Sequence, residues 1–138
     1  MLLQPYLHFE GRCDEALEFY KQAIGAKVEM LMRYKDSPDL QPGSMPPGME
    51  DKVMHASVRI GETNIFVSDG RCQSKPNFDG FTLSLTVATA AEADSLFAAL
   101  SDGGKVEMPL AKTFFSSRFG MLADRFGVSW LIMVRPGS

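Results

Sequence analysis

An excess of positive charge is missing from this sequence. Its 14 Lys and Arg are set against 17 Asp and Glu, for a net charge of −3 and a pI near 5.3. No segment gathers the basic residues into a patch, which excludes a nucleic-acid footprint. Long apolar runs are missing too. None approaches the roughly 20 residues that a membrane-spanning helix needs, so no membrane partner is expected. Met1 is followed by Leu-Leu-Gln-Pro without a basic stretch, and no secretory leader is read there. Cysteine is scarce: Cys13 and Cys72 stand far apart and form no CxxC pair. Two reduced thiols in a cytoplasmic protein are expected from that spacing, not a disulfide framework. Histidine is limited to His8 and His55. What the chain does have is an ordinary globular balance over 138 residues, 45% hydrophobic and 22% charged, enough for one domain with a real core. Its nine Met are many for the length; Met fills irregular core gaps and can line adaptable pockets.

Periodicity divides the chain into two similar halves. Residues 2–9 alternate as a strand, with Tyr6 and His8 opposite Leu7 and Phe9. Residues 14–24 carry Ala16, Leu17, Tyr20 and Ile24 at helical spacing, with Cys13 or Asp14 at the N-terminus and Gly25 as the residue that ends the helix. A Val- and Met-rich strand follows at 27–34. Residues 35–51 hold Pro38, Pro42, Gly43, Pro46, Pro47 and Gly48 and read as a long loop. At 53–60, Met54, Ala56, Val58 and Ile60 form one strand face, and Val53, His55, Ser57 and Arg59 form the other. Gly61 and Glu62 turn the chain into a hairpin partner at 63–68. Residues 71–79 are polar and turn-rich, a natural linker between a first module (1–70) and a second (80–135). The order then repeats: strand 81–88, helix 90–100, strand 105–111, a strand within 114–122, and a last strand 128–134. Each half is one βαβββ unit, and the repeat is architectural.

The stretches "PYLHFEGRCDEALEFYKQAIGAKV", "DKVMHASVRIGETNIFVSDG", "GFTLSLTV" and "GKVEMPLAKTFFSSRFGMLADRFGVSWLIMV" resemble the PhnB-like branch of the vicinal-oxygen-chelate (glyoxalase/bleomycin resistance) superfamily over nearly the whole chain. The resemblance implies an α+β fold in which two βαβββ modules form a curved, U-shaped mixed sheet around a cavity. The strand alternation then assigns inward positions. These are Gln4, Tyr6 and His8; His55, Ser57 and Arg59; Asn64, Phe66 and Ser68; Thr82, Ser84 and Thr86; and Ser129, Leu131 and Met133. A one-residue slip would exchange them all. Such domains are also described as demethylubiquinone methyltransferase-like. Nothing here resembles a methyl-donor site, and no glycine-rich strand-to-helix turn is present, so that activity is set aside.

Metal-dependent relatives place four ligands on the inward face, and the resemblance carries these onto Gln4, Phe66, Thr82 and Leu131. Phe and Leu offer no donor and Thr a weak one, so no cofactor is expected at these positions. A divalent metal elsewhere stays open, held by His8 and His55 with Glu10, Glu29 or Asp69 as a third ligand. Otherwise the two histidines are hydrogen-bonding groups or general bases. The candidate ligand-binding set is Tyr6, His8, His55, Ser57, Arg59, Phe66, Ser84, Thr86 and Met133, a mixture of polar handles and apolar wall. Arg59 either grips an anion or reaches solvent. Lys112 and Arg118 beside Phe114 and Phe115 either bracket an anion or form a rim. Trp130 is read as core, and Asp124 to Gly127 as a structural turn. Three functions follow: a small-molecule-binding protein or metal-independent enzyme; a metal-dependent lyase, isomerase or dioxygenase; and a non-catalytic interaction domain. The resemblance also implies a homodimer. The 35–51 loop, with Met45 and Met49 expected to dock on apolar surface, is a lid, a dimer arm or a passive insertion.

Overall fold

The structure is a computed structural model and describes residues 1–39, 47–72 and 74–136. The chain divides into two compact units, Met1–Pro76 and Asn77–Ser138, with the division inside the polar 71–79 stretch. The first unit holds β1 (Tyr6–His8), α1 (Cys13–Ile24), β2 (Lys27–Arg33), β3 (Val53–Ile60) and β4 (Thr63–Ser68). The second holds β5 (Leu83–Val87), α2 (Ala90–Ser101), β6 (Lys105–Ala111), β7 (Phe119–Ala123) and β8 (Ser129–Val134). Each unit forms a four-stranded mixed sheet, in the order β1-β4-β3-β2 and β5-β8-β7-β6. In each, the first strand pairs parallel with the last and the other pairs are antiparallel.

Burial in the first unit follows the strand alternation. Leu7, Ala56, Val58, Ile60, Ile65 and Val67 are buried on the face that α1 covers with Ala16, Leu17 and Tyr20. α1 ends at Gly25, whose φ of 68° is the left-handed conformation that glycine adopts without strain. Its start is held from outside. Arg12, the cap residue, gives no side-chain bond; instead the Cys13 N–H donates to Asp69 Oδ1 at 2.8 Å, and Asp69 Oδ2 accepts the Val53 N–H at 2.7 Å. One buried carboxylate thus ties the end of β4 to the starts of α1 and β3. The sequence expects Cys13 or Asp14 at this N-terminus; the helix begins at Cys13, which is buried, and the cap residue is Arg12.

The second unit repeats the plan with different devices. Thr89 Oγ1 accepts the Glu92 N–H and caps α2. Gly120 on β7 lies under α2: a Cβ there would fall 2.9 Å from the Phe97 ring and 2.9 Å from the Met108 carbonyl. Trp130 is buried, as the sequence suggested. Asp124 Oδ1 accepts the N–H groups of Phe126 and Val128, and its Oδ2 accepts the Trp130 indole N–H at 2.9 Å, so the 124–127 turn is structural.

Several expectations need correction. β1 begins at Tyr6, because Pro5 has no N–H for the ladder, and Leu2 and Leu3 lie exposed before it. β5 begins at Leu83, leaving Phe81 partly exposed. β7 begins only at Phe119, because residues 113–116 close a turn through Thr113 and Ser116. Val53 is buried, not on the open face. The β2–β3 ladder pairs Met32 with His55 but Arg33 with Val53, and this bulge turns Val53 into the core. The repeat is also closer than architecture alone. Lys-Val-Glu-Met opens β2 at 27–30 and β6 at 105–108. Both ladders slip there, between Val28 and Met30 and between Val106 and Met108.

Candidate functional site

The open face of the first sheet gathers the two histidines. Tyr6 and His8 alternate outward from buried Leu7, and register aligns Tyr6 with Phe66 and His8 with Ser68 across the parallel β1–β4 pair. From β3, Ser57 aligns with Phe66 and Arg59 with Asn64. The Tyr6 ring stacks on the His8 imidazole, with centroids 4.7 Å apart and planes at 27°, and it lies 5.4 Å from the His55 ring. Phe66 completes the cluster, 5.0 Å from His55 and 5.8 Å from Tyr6. Each imidazole is held through Nδ1 by a hydroxyl: His8 by Ser68 Oγ at 2.8 Å, and His55 by the Tyr6 phenol at 2.9 Å. Ser68 Oγ also accepts the Gly70 N–H at 3.0 Å. Nearby, the Tyr34 hydroxyl donates to the Gly70 carbonyl at 2.9 Å; burial pushes this phenol above its usual range, which keeps it a donor.

Farther along the face, Asn64 Nδ2 donates to Glu29 Oε1 and to Ser57 Oγ, and Gln4 Nε2 donates to the Asn64 carbonyl. Arg59 is exposed; its Nε donates to the Gly61 carbonyl. Sequence reasoning left β2 off this face. After the Glu29 bulge, Met30 aligns with Ser57 and Met32 with His55, so both thioethers border the histidine cluster. The signal for this is a ladder slip, which an alternation pattern does not display.

In the second unit, Ser84 aligns with Leu131 and Thr86 with Met133, then Leu131 with Met121 and Met133 with Phe119. Met121 in turn aligns with Met108. This open face is hydroxylic along β5 and apolar across the rest. Arg118 is spoken for by an ion pair with Asp94 of α2 at 3.2 Å. Phe114 and Phe115 meet edge-on at 5.0 Å. In the long loop, Met49 is buried, while Met45 and Pro46 lie outside the described residues.

The metal positions implied by the resemblance do not fit a metal centre. Phe66 packs its ring on Tyr6 and His55, and Leu131 is aliphatic. Thr82 Oγ1 is bonded to Ser129 Oγ, and Gln4 has turned its amide to Asn64. Of the three carboxylates expected to complete a relocated site, Glu10 lies against Gly70 beside His8. Both Asp69 oxygens take backbone N–H groups, and Glu29 is engaged by Asn64. Among the described residues, no group of three or more His, Cys, Asp and Glu is placed to hold a metal ion.

Known proteins match this geometry and sequence. The model of the family described as 3-demethylubiquinone-9 3-methyltransferase matches residues 2–133. Protein YjdN of Escherichia coli K12 is 35% identical over 97% of this chain and 95% of its own. The crystal structure of PA1353 from Pseudomonas aeruginosa superposes with a TM-score of 0.84 at 38% identity, covering 98% of both chains. A Bacillus cereus structure described as a putative 3-demethylubiquinone-9 3-methyltransferase, PhnB protein, gives 0.79 at 28% identity over 97% of this chain and 99% of its own. At the level of fold alone, a glyoxylase/bleomycin resistance protein/dioxygenase domain from Frankia gives 0.66 at 16% identity, covering 100% of this chain and 93% of that one. The chain shares its fold with the glyoxylase/bleomycin resistance domain, and by sequence it belongs to the family described as 3-demethylubiquinone-9 3-methyltransferase.

Proposed function

We propose that this protein binds a small molecule on the histidine face of its first unit, as a binding protein or as an enzyme that works without a metal. The observation that supports this most is the pair of imidazoles, each fixed through Nδ1 by a hydroxyl and set among Tyr6 and Phe66. A ring held by one nitrogen presents the other in a fixed direction, as a group that receives a ligand requires. Ser57 and Arg59 join from the same sheet. Ser84, Thr86 and Met133 of the candidate set lie on the sheet of the second unit, where Thr86 aligns with Met133. No methyl transfer is assigned: the strand-to-helix turns, Glu10-Gly11-Arg12 and Ala88-Thr89, have no glycine-rich run to take a nucleotide-derived donor. A metabolite screen by thermal shift tests the reading. Stabilisation by at least one class is expected, and its loss in the His8→Ala/His55→Ala variant. No response from any class would favour a non-catalytic interaction domain.

The protein is further proposed to be a cytoplasmic homodimer. Two free thiols suit a reducing compartment, and no helix among the described residues is long and apolar enough to cross a membrane. Val28 and Met30 on β2, and Val106 and Met108 on β6, are exposed apolar residues on edge strands, which supports a covering partner. Light scattering at micromolar concentration is expected to give twice the chain mass; a monomer would refute it.

A further inference from the structure

The hydrogen bonds around His8 and His55 bear on where each ring carries its proton. Ser68 is only 2% exposed, so its hydroxyl proton has no water to reach. Its oxygen already accepts the Gly70 N–H. Among the described residues, the acceptor left within reach is His8 Nδ1, at 2.8 Å. A buried hydroxyl that fails to donate loses free energy comparable to a full desolvation penalty, so Ser68 donates to Nδ1 and the His8 proton sits on Nε2. The Tyr6 phenol has two acceptors near it, the Met54 carbonyl at 3.5 Å and His55 Nδ1 at 2.9 Å. An O–H···O contact at 3.5 Å lies well outside hydrogen-bond distance. The 2.9 Å contact to His55 Nδ1 is the shorter of the two, and we assign the phenol proton to it, which puts that ring's proton on Nε2 as well.

From this we infer that the face takes a planar oxyanion, such as an aromatic or conjugated carboxylate, as the ligand of the site proposed above. Both imidazoles then offer Nε2–H donors, and Arg59 on the same strand face as His55 adds an exposed guanidinium whose Nε donates to the Gly61 carbonyl. The nearest carboxylate on β2, Glu29, is already engaged by Asn64. Glu10, whose carboxylate lies at Gly70 beside His8, has an interaction of its own, and imidazole N–H and guanidinium donors select an acceptor-rich ligand. The neighbouring Tyr6 and Phe66 rings favour a flat one. Ser68 and Tyr6 act as positioning residues: each sets the tautomer of one histidine.

The test is the long-range proton–nitrogen NMR spectrum of the two histidine rings, recorded free and with benzoate, cyclohexanecarboxylate or benzylamine. Both rings are expected in the Nε2–H form in the free protein. Benzoate is expected to shift both Nε2 signals and to bind more tightly than cyclohexanecarboxylate, with benzylamine inert. Tyr6→Phe should release the His55 tautomer and leave His8 unchanged; Ser68→Ala should do the reverse. Each should weaken benzoate roughly three- to tenfold, the worth of one hydrogen bond. Tyr6 is partly exposed, so Tyr6→Phe remains informative if Ser68→Ala fails to fold. An Nδ1–H tautomer in either ring, or benzylamine binding as well as benzoate, overturns the inference while leaving the small-molecule face intact. Failure of all three probes and of the metabolite screen overturns both.

Discussion

Two buried aspartates show how much of this fold hangs on single side chains. Asp69 and Asp124 are almost fully buried, and each spends its oxygens on N–H groups. Asp69→Ala frees two buried backbone donors and Asp124→Ala frees three donors. Each should destabilise the protein by about 3 kcal/mol or more, read as a lowered urea midpoint with an unchanged slope. Asp69→Asn should be nearly as damaging, since its amide would turn a donor toward one of those N–H groups. Asp124 could be read from sequence because its partners lie within a few residues of it. Asp69 could not: its partners are 16 and 56 residues away, and a lone Asp beside two histidines looks like a ligand. The thiols differ in the same local way. Burial, with Asp69 and Asp14 nearby, pushes the Cys13 thiol far above its ordinary 9.0, and burial raises Cys72 less. One thiol, Cys72, should react with a thiol reagent in the native state, and both after denaturation. A raised thiol adds stability that is complete below about pH 9 and lost as pH climbs toward the folded-state value. Stability should therefore fall above pH 9 in the wild type and fall less in Cys13→Ala.

Strand alternation predicted the open and covered faces of β1, β3, β4, β5 and β8 well, because period two holds wherever a ladder is regular. It failed where ladders slip. The Glu29 bulge brings Met30 and Met32 beside Ser57 and His55, and the second slip buries Val53; neither follows from counting. Gly120 sits at an equally unforgiving point. Gly120→Ala places a methyl against the Phe97 ring and the Met108 carbonyl and should cost about 1–3 kcal/mol, checked by thermal denaturation. Arg33 joins elements more loosely. It holds Asp14 of α1 through paired bonds of 2.9 Å and also donates to the Asp51 carbonyl. The guanidinium bond holds the Asp14 carboxyl below its ordinary 3.8, so this stabilisation is present above that pH and lost as pH falls through the depressed value. Asp14 is more than half exposed, which limits the effect to under about 1 kcal/mol. Arg33→Ala should be slightly less stable than wild type at pH 7, and the part of the gap owed to Asp14 should vanish toward pH 3.

At the scale of the whole chain, two βαβββ units and their family were legible in the sequence, since helix period, strand period and turn residues all agree along most of its length. The contacts of the histidines were not, because Ser68 meets His8 and Tyr6 meets His55 only across the sheet, 60 and 49 residues apart in the chain. Phe66 and Leu131, which offer a metal no donor, stand in the sequence itself at two of the positions the resemblance assigns to ligands. Membership of a family described as a methyltransferase leaves the reaction to be decided at the site, since function follows the constellation and not the fold. The most direct measurement is therefore a thermal-shift screen of metabolite classes on protein stripped with a chelator, run beside Tyr6→Phe and His8→Ala/His55→Ala. The account predicts that at least one class, with planar acids foremost, raises the melting temperature of the stripped wild type and that both variants lose most of the gain. Stabilisation that appears only after a divalent metal is restored, or that survives removal of both histidines, would contradict it.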